Sequence, residues 1–344
     1  MEPQDPEAEE QAVPRILSGV QPTGNTHLGN YVGAFRQWVD MQHDFEAFYP
    51  VVDLHAITLA YDHRQLADRT LEVAAILLAS GLDPDVCTVF VQSHVPEHTE
   101  LAWLLNHLAT VGELRRMTQF KAKAAEGGEG ALPAGYFNYP VLQAADILIY
   151  QADRVPVGED QRQHLELTRD VAERFNARFG ETFVVPEAYI PKVGGRVMDL
   201  QNPTAKMSKS SASVAGRIEV LDPPEVIRRK VRSAVTDSGR EVLARPDKPA
   251  ISNLLELFSV ATSTSVGELE QAYAGRGYGD FKADLADALA AFLAPVRERY
   301  TALRDDPARL TAILERGAAK AQSIARENLA LAKERMGFLP RASG

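Results

Sequence analysis

The sequence predicts an α/β fold, a parallel, doubly wound sheet with a C-terminal all-helical part. Two observations predict it. In the first half, short runs of strand-forming residues alternate with longer stretches of helical periodicity, the pattern of βαβ units that bind ligands at the strands' carboxyl ends. From Pro223 onward strand signals vanish and alanine-rich helical periodicity takes over.

Taken in order, Arg15 to Val20 reads as a short strand and Gln21-Pro22-Thr23-Gly24-Asn25 as the turn after it. A helix is expected to start near His27 or Leu28 and to run through Trp38 towards Gln42. Ala47 to Val52 is the second strand, ending at Asp53-Leu54-His55, and Leu66 to Ser80 is a helix stopped by Gly81. Val86 to Gln92 is a third strand, bounded by Asp83-Pro84 and by Pro96. Helices are expected over Glu97–Thr110 and Gly112–Lys123, then a flexible Gly-rich loop from Glu126 to Gly130. Tyr139 to Tyr150 reads as a helix, and Arg154 to Val157 as a strand leading into Gly158-Glu159-Asp160-Gln161. There is no internal repeat.

A chain of 344 residues is long enough for a large core and two domains. Charged residues at 24% and hydrophobic ones at 45% suit a water-soluble protein. A single cysteine, Cys87, excludes an internal disulfide, and no Cys/His cluster has zinc spacing. Five acids and two prolines in Met1 to Glu10 are the opposite of a targeting peptide, and no apolar run approaches spanning length. A cytoplasmic protein is expected. The net charge of −10 argues against a generic nucleic-acid binder. From Arg217 onward, however, 20 basic residues face 18 acidic ones. The cluster Arg228-Arg229-Lys230 with Arg232 reads most simply as a solvated helix face, with an RNA-backbone contact as the alternative.

The chemistry is carried by two short motifs. Neither a Gly-Lys-Ser/Thr phosphate loop nor a Gly-x-Gly-x-x-Gly fingerprint is present. Instead, Lys206-Met207-Ser208-Lys209-Ser210 offers two cations on small, flexible residues, suited to gripping a polyphosphate that must later leave. Far upstream, His27-Leu28-Gly29-Asn30 places a ring nitrogen and an amide beside bare backbone at a helix start.

This pair, in this order, resembles the signature of class I aminoacyl-tRNA synthetases, with Asn30 in place of the second His. Ser18 to Gly24, Asp53-x-His55-Ala56, Met117 to Lys121, Ala144 to Leu148, Val157 to Gln161, Ser233 to Ser238 and Phe281 to Asp284 are similar to tryptophanyl-tRNA synthetases of bacterial type. The resemblance implies a Rossmann-type catalytic domain over 13–215, behind a disordered acidic tail over 1–12. It also implies a helical domain over 216–344 that reads the anticodon of tRNA(Trp). By the same resemblance, ATP with its Mg²⁺ would meet Gln21, Pro22, Thr23, Gly29, Asn30, Gly158, Glu159, Asp160 and the backbone at Val197. His27, Lys206 and Lys209 would be catalytic, with Met207, Ser208, Ser210 and Lys123 beside the phosphates. Asp146 would accept the indole N–H of L-tryptophan; Tyr139 and Gln161 would meet its amino group, and His55 and Gln143 would complete the pocket. No protein-held metal is implied.

Three departures are visible. Gln143 stands where relatives commonly have Met, Ser211-Ala212-Ser213 where an Asp is usual, and Leu17 where some have an aromatic. They motivate one alternative of a different class, a catalytically weak paralogue that binds tRNA or a protein. Tyrosine as substrate is a second alternative. A homodimer is implied by resemblance, and the apolar residues from Trp103 to Leu108 would suit its interface.

Overall fold

Five short strands set the frame: β1 (Arg15–Leu17), β2 (Glu46–Val51), β3 (Thr88–Val91), β4 (Arg154–Pro156) and β5 (Glu187–Tyr189). The structure is a computed structural model that describes residues 13–158, 161–190, 197–208 and 213–340. All pairings are parallel, in the order β3-β2-β1-β4-β5, with Leu17 opposite Phe48 and Phe48 opposite Thr88. In β2 every residue from Ala47 to Val51 is buried, as is all of β3, because helices cover both faces of the sheet. The strand order turns back between β1 and β4. A crevice therefore opens at their carboxyl ends, the usual ligand position in such a sheet. β5 was not anticipated: Glu187 and Ala188 are exposed, so no apolar run marks this edge strand.

The expected helix after the first turn is present, but its middle is a π-helical turn over Tyr31–Phe35, between α1 (Leu28–Asn30) and α2 (Arg36–Met41). Next come α3 (Asp53–Ala56), α4 (Leu66–Ala79) and α5 (Glu97–Leu105). The helix expected over Gly112–Lys123 is two helices, α6 (Val111–Arg116) and α7 (Thr118–Gly127). Met117 breaks it with an extended ψ of 130, and Thr118 is held by the Gln163 side chain at 2.8 Å. α8 (Ala134–Leu148) begins well before Pro140, which lies inside it. The Gly-rich stretch expected to be a loop is partly ordered, since α7 runs to Gly127 and a 3₁₀ turn spans Glu129–Ala131. α9 (Arg162–Phe179) packs against α8 and is tied to α6 by Arg174 and Glu113. On α5 Trp103 is exposed, whereas Leu104, Leu105 and Leu108 are buried in the core. The acidic tail over 1–12 lies outside the described residues.

The C-terminal helices are α10 (Pro224–Ser233), α11 (Pro249–Thr262), α12 (Val266–Ala272), α13 (Tyr278–Arg304) and α14 (Pro307–Arg335). Rings of Phe258, Tyr273 and Phe281 join α11 to α13 with centroids 5.2–5.8 Å apart. The basic cluster on α10 is not a uniform solvated face: Lys230 is buried against Asp222 at 2.6 Å, and Arg228 pairs with Asp287. α14 then returns to the sheet, lying against β3 and α5. Gly317 makes that approach possible, because a Cβ there would overlap the Val89 carbonyl oxygen.

Gly317→Ala is therefore expected to destabilise the protein by about 1–3 kcal/mol, the usual cost of overpacking. Helix propensity alone would stabilise it by about 1 kcal/mol, so the sign of the change in urea unfolding checks the contact. Glu113 gives a pH prediction. The hydrogen bond from Arg174 holds its carboxyl down to about 2 from an ordinary 4.5. A depressed pKa contributes stability above the unfolded value, lost as pH falls through the folded one. The stability difference between wild type and Glu113→Gln is thus expected to be full above pH 4.5 and to shrink towards pH 2. Urea unfolding at stepped pH measures it, with about 1.5–3 kcal/mol expected at neutrality.

Candidate nucleotide and amino-acid site

A cavity of about 450 Å³ opens in the crevice between β1 and β4. Gln21, His55, Tyr139, Gln143, Asp146 and Gln161 all line it, with Gly19 and Leu17 from the end of β1. Gly19 has no room for a side chain, since a Cβ would come within 2.8 Å of Val52.

Asp146 is 3% exposed. Its Oδ2 lies 2.7 Å from His55 Nε2, its Oδ1 2.6 Å from His98 Nδ1, and Gln92 Nε2 sits 2.8 and 2.9 Å from the two oxygens. Burial acts to raise its pKa, but the hydrogen bonds from His55 and His98 outweigh it and hold the carboxyl well below the ordinary range. An ionised carboxylate only accepts, so both imidazoles donate to it. His98 Nε2 is 2.7 Å from the Tyr150 hydroxyl, and burial pushes the Tyr150 pKa up, keeping the phenol protonated. Gln92 is itself oriented, accepting the Leu54 N–H at 3.1 Å. Four hydrogen bonds from three donor groups thus meet a carboxylate with about four acceptor sites, two on each oxygen.

Tyr139 reaches His164 Nε2 at 2.8 Å, and burial raises its pKa, so it too remains a neutral phenol. Gln143 donates to Gln161 at 3.4 Å, so the polar residue at the Met position is bonded to a second pocket residue.

The two motifs meet each other, and none of their described residues lines this cavity. His27 is 4% exposed and caps α1: its Nδ1 accepts from the Asn30 N–H at 3.3 Å, while its own N–H donates to Asn30 Oδ1 at 3.2 Å. Asn30, the departure from the two-His signature, thus closes a reciprocal cap. A Cβ on Gly29 would stand 3.0 Å from His27 Nδ1 and 3.7 Å from Met207 Cβ, which puts the lysine motif directly over the first. Backbone bonds from Leu28 to Ile218 (2.8 Å) and from Val220 to Thr26 (2.9 Å) hold them together.

Pro22 is buried, Thr23 half-buried and Gly158 exposed, none of them lining the cavity wall. Lys206 is exposed, Met207 buried and Ser208 half-buried, and the Met207 N–H reaches the carbonyl of buried Val197 at 3.0 Å. Lys123 is not at the cavity; it pairs with Glu126 at 2.6 Å. Glu159, Asp160, Lys209 and Ser210 lie outside the described residues. His98, Gln92 and Tyr150 are functional candidates missed from sequence. For Gln92 and Tyr150 a signal was available, as each is a polar group closing an apolar run, whereas His98 stands among polar residues that hide it. Among the described residues no group of three or more His, Cys, Asp or Glu is arranged to hold a metal.

Over residues 9–294 the chain matches the family model described as tRNA synthetases class I (W and Y), and it belongs to that family. It is 56% identical over 331 residues to tryptophan–tRNA ligase 2 of Streptomyces avermitilis, across 95% of this chain and 98% of that one. Similarity to the tryptophan–tRNA ligase of Mycobacterium leprae is 52% over 332 residues, covering 95% and 97%. Among solved structures, a Campylobacter jejuni tryptophanyl-tRNA synthetase complexed with ADP and tryptophan superposes with a TM-score of 0.83. It is 36% identical, with 94% of this chain and 100% of that one covered.

Removing the carboxylate would strand His55, Gln92 and His98 together. Asp146→Ala is therefore expected to lower global stability by about 3–5 kcal/mol in chemical denaturation, the range for breaking one side of a buried ionic cluster. A variant as stable as wild type would mean that these bonds are absent in solution.

Proposed function

We propose that the chain activates L-tryptophan with ATP and transfers it to tRNA(Trp). The observation that carries the reading is the junction of Gly29 and Met207, in a fold that also holds a cavity with a buried, ionised Asp146 on its wall. The pairing of an anion-attracting helix start with a cationic loop, and a cavity that offers an acceptor for a ring N–H, support this reading.

In this reading the indole N–H bonds to Asp146 by displacing one of the two Gln92 contacts, with His55 beside it and Gln143 on the wall. Tyr139 and Gln161 meet the amino group. Gln21, Pro22, Thr23, Gly29, Asn30, Gly158, Glu159, Asp160 and the Val197 backbone hold ATP. The tryptophan carboxylate oxygen attacks the α-phosphorus; the bond to the bridging oxygen breaks, and pyrophosphate leaves with its Mg²⁺. His27, Lys206 and Lys209, with Met207, Ser208 and Ser210 near them, neutralise the charge that builds there. The terminal ribose hydroxyl of tRNA then attacks the mixed anhydride and AMP departs. The helical part from residue 216 reads the tRNA, and the working form is a cytoplasmic homodimer. Among the described residues no helix is long and apolar enough to cross a membrane. No carboxylate pair or nucleophile triad is needed, since in phosphoryl transfer the protein contributes position and charge.

The test is tryptophan-dependent ATP–pyrophosphate exchange, expected with tryptophan and not with tyrosine. Lys206→Ala should slow adenylate formation by about 10²–10³-fold, the usual loss for a preorganised charge-stabilising donor. Tryptophan affinity, measured by equilibrium dialysis, should stay within about twofold, because this contact grows only in the transition state. An unchanged rate would refute the phosphate role. In a second measurement, an isostere with sulfur in place of the indole N–H should bind wild type about ten- to a hundredfold more weakly than tryptophan. Equal binding of the two would remove Asp146 as the indole reader.

A further inference from the structure

We infer that Asn253, on α11 in the helical part, is the positioning residue for the lysine loop; the inference rests on that loop acting at the ATP phosphates. The loop springs from a tight turn whose arms are Val197-Met198 and Lys206-Met207, bridged between Met198 and Lys206. Within the turn the Asp199 N–H donates to the Ala205 carbonyl at 2.9 Å, and Asp199 Oδ1 accepts from the Gln201 and Asn202 N–H groups. Among the described residues no strand pairs with the outer arm. One side-chain amide takes that place: Asn253 Oδ1 accepts the Met198 N–H at 3.0 Å, and Asn253 Nδ2 donates to the Met198 carbonyl at 3.1 Å.

Asn253 is 5% exposed, between fully buried Ile251 and buried Leu254. It cannot swing away without leaving its own amide and both polar groups of Met198 unpaired. Asp keeps the acceptor but sets an oxygen against the Met198 carbonyl. Gln is a methylene too long for a buried, paired position. Two further bonds tie the stem to the end of α10 rather than to the sheet: Gln201 Nε2 to the Ser233 carbonyl at 2.9 Å, and the Val235 N–H to the Leu200 carbonyl at 2.9 Å. Asn253 thus fixes Met198, and through the bridge the point at which Lys206 begins.

The test compares ATP–pyrophosphate exchange and tryptophan affinity for wild type, Asn253→Asp, Asn253→Ala, Lys206→Ala and the Asn253→Asp/Lys206→Ala double variant, all as full-length chains. Displacement of a catalytic group by about 1 Å costs up to roughly 10²-fold. Asn253→Asp should therefore lose about 10–100-fold in kcat/KM for ATP, with the tryptophan dissociation constant within about twofold of wild type. In the Lys206→Ala background the same change should cost little more, because coupled residues are not additive. If Asn253→Ala fails to fold, Asn253→Asp alone reads the donated bond. Exchange near wild type in a folded Asn253→Asp, an equal loss of tryptophan binding, or fully additive losses would each overturn the inference. If Lys206→Ala were itself silent, the phosphate reading of the loop would fall, and this inference with it. A crippled Lys206→Ala beside an unaffected Asn253→Asp sinks the inference alone.

Discussion

Much of this structure is arranged around one buried negative charge. Asp146 on α8 draws donors from His55 on α3, Gln92 at the end of β3 and His98 on α5, so four elements from separate parts of the chain converge on one carboxylate. An isolated buried carboxylate would take up a proton; here the hydrogen bonds reverse that tendency. The result is a fixed acceptor whose partners are themselves fixed, Gln92 by the Leu54 N–H and His98 by Tyr150. Geometry of this kind discriminates donors from non-donors far better than an apolar pocket can, because an unfilled acceptor site costs more than a lost contact.

The second constraint is the backbone pairing that brings the segment after the lysine loop onto the His27 motif. Asn25 donates to Glu219 at 2.6 Å, Glu219 accepts from Arg217, and the Glu219 N–H reaches Asp222, which also holds Lys230. Charge on α10 is therefore spent on clamping the two motifs together. Gly216 belongs to the same clamp, since a Cβ there would overlap the Asp199 carboxylate.

The alternation of strands and helices was legible because periodicity is local, and β1 to β4 lie within a few residues of their expected places. The two motifs were legible because their residue types are unusual for a bland turn. What escaped was long-range or weakly marked. β5 has no apolar run to announce it, and the π turn at Tyr31–Phe35 has an ordinary helical composition. Met117 ends a helix through its backbone angles, without a Gly or Pro to signal it. His98 and Gln92 meet Asp146 across 48 and 54 residues, a separation at which one sequence carries no pairing signal. His55, expected only to complete the pocket, is bonded directly to the carboxylate.

The return of α14 to β3 bears on how the chain is made. β3 is an edge strand, and an uncovered edge invites pairing with other chains. Its cover is built from residues 307 to 335, more than two hundred positions downstream. During synthesis this edge must therefore wait uncovered until residues 307 to 335 have left the ribosome, a delay inherent in contacts of such long sequence separation. Ribosomes stalled between β3 and residue 307 would display an unguarded strand, the form most in need of a chaperone.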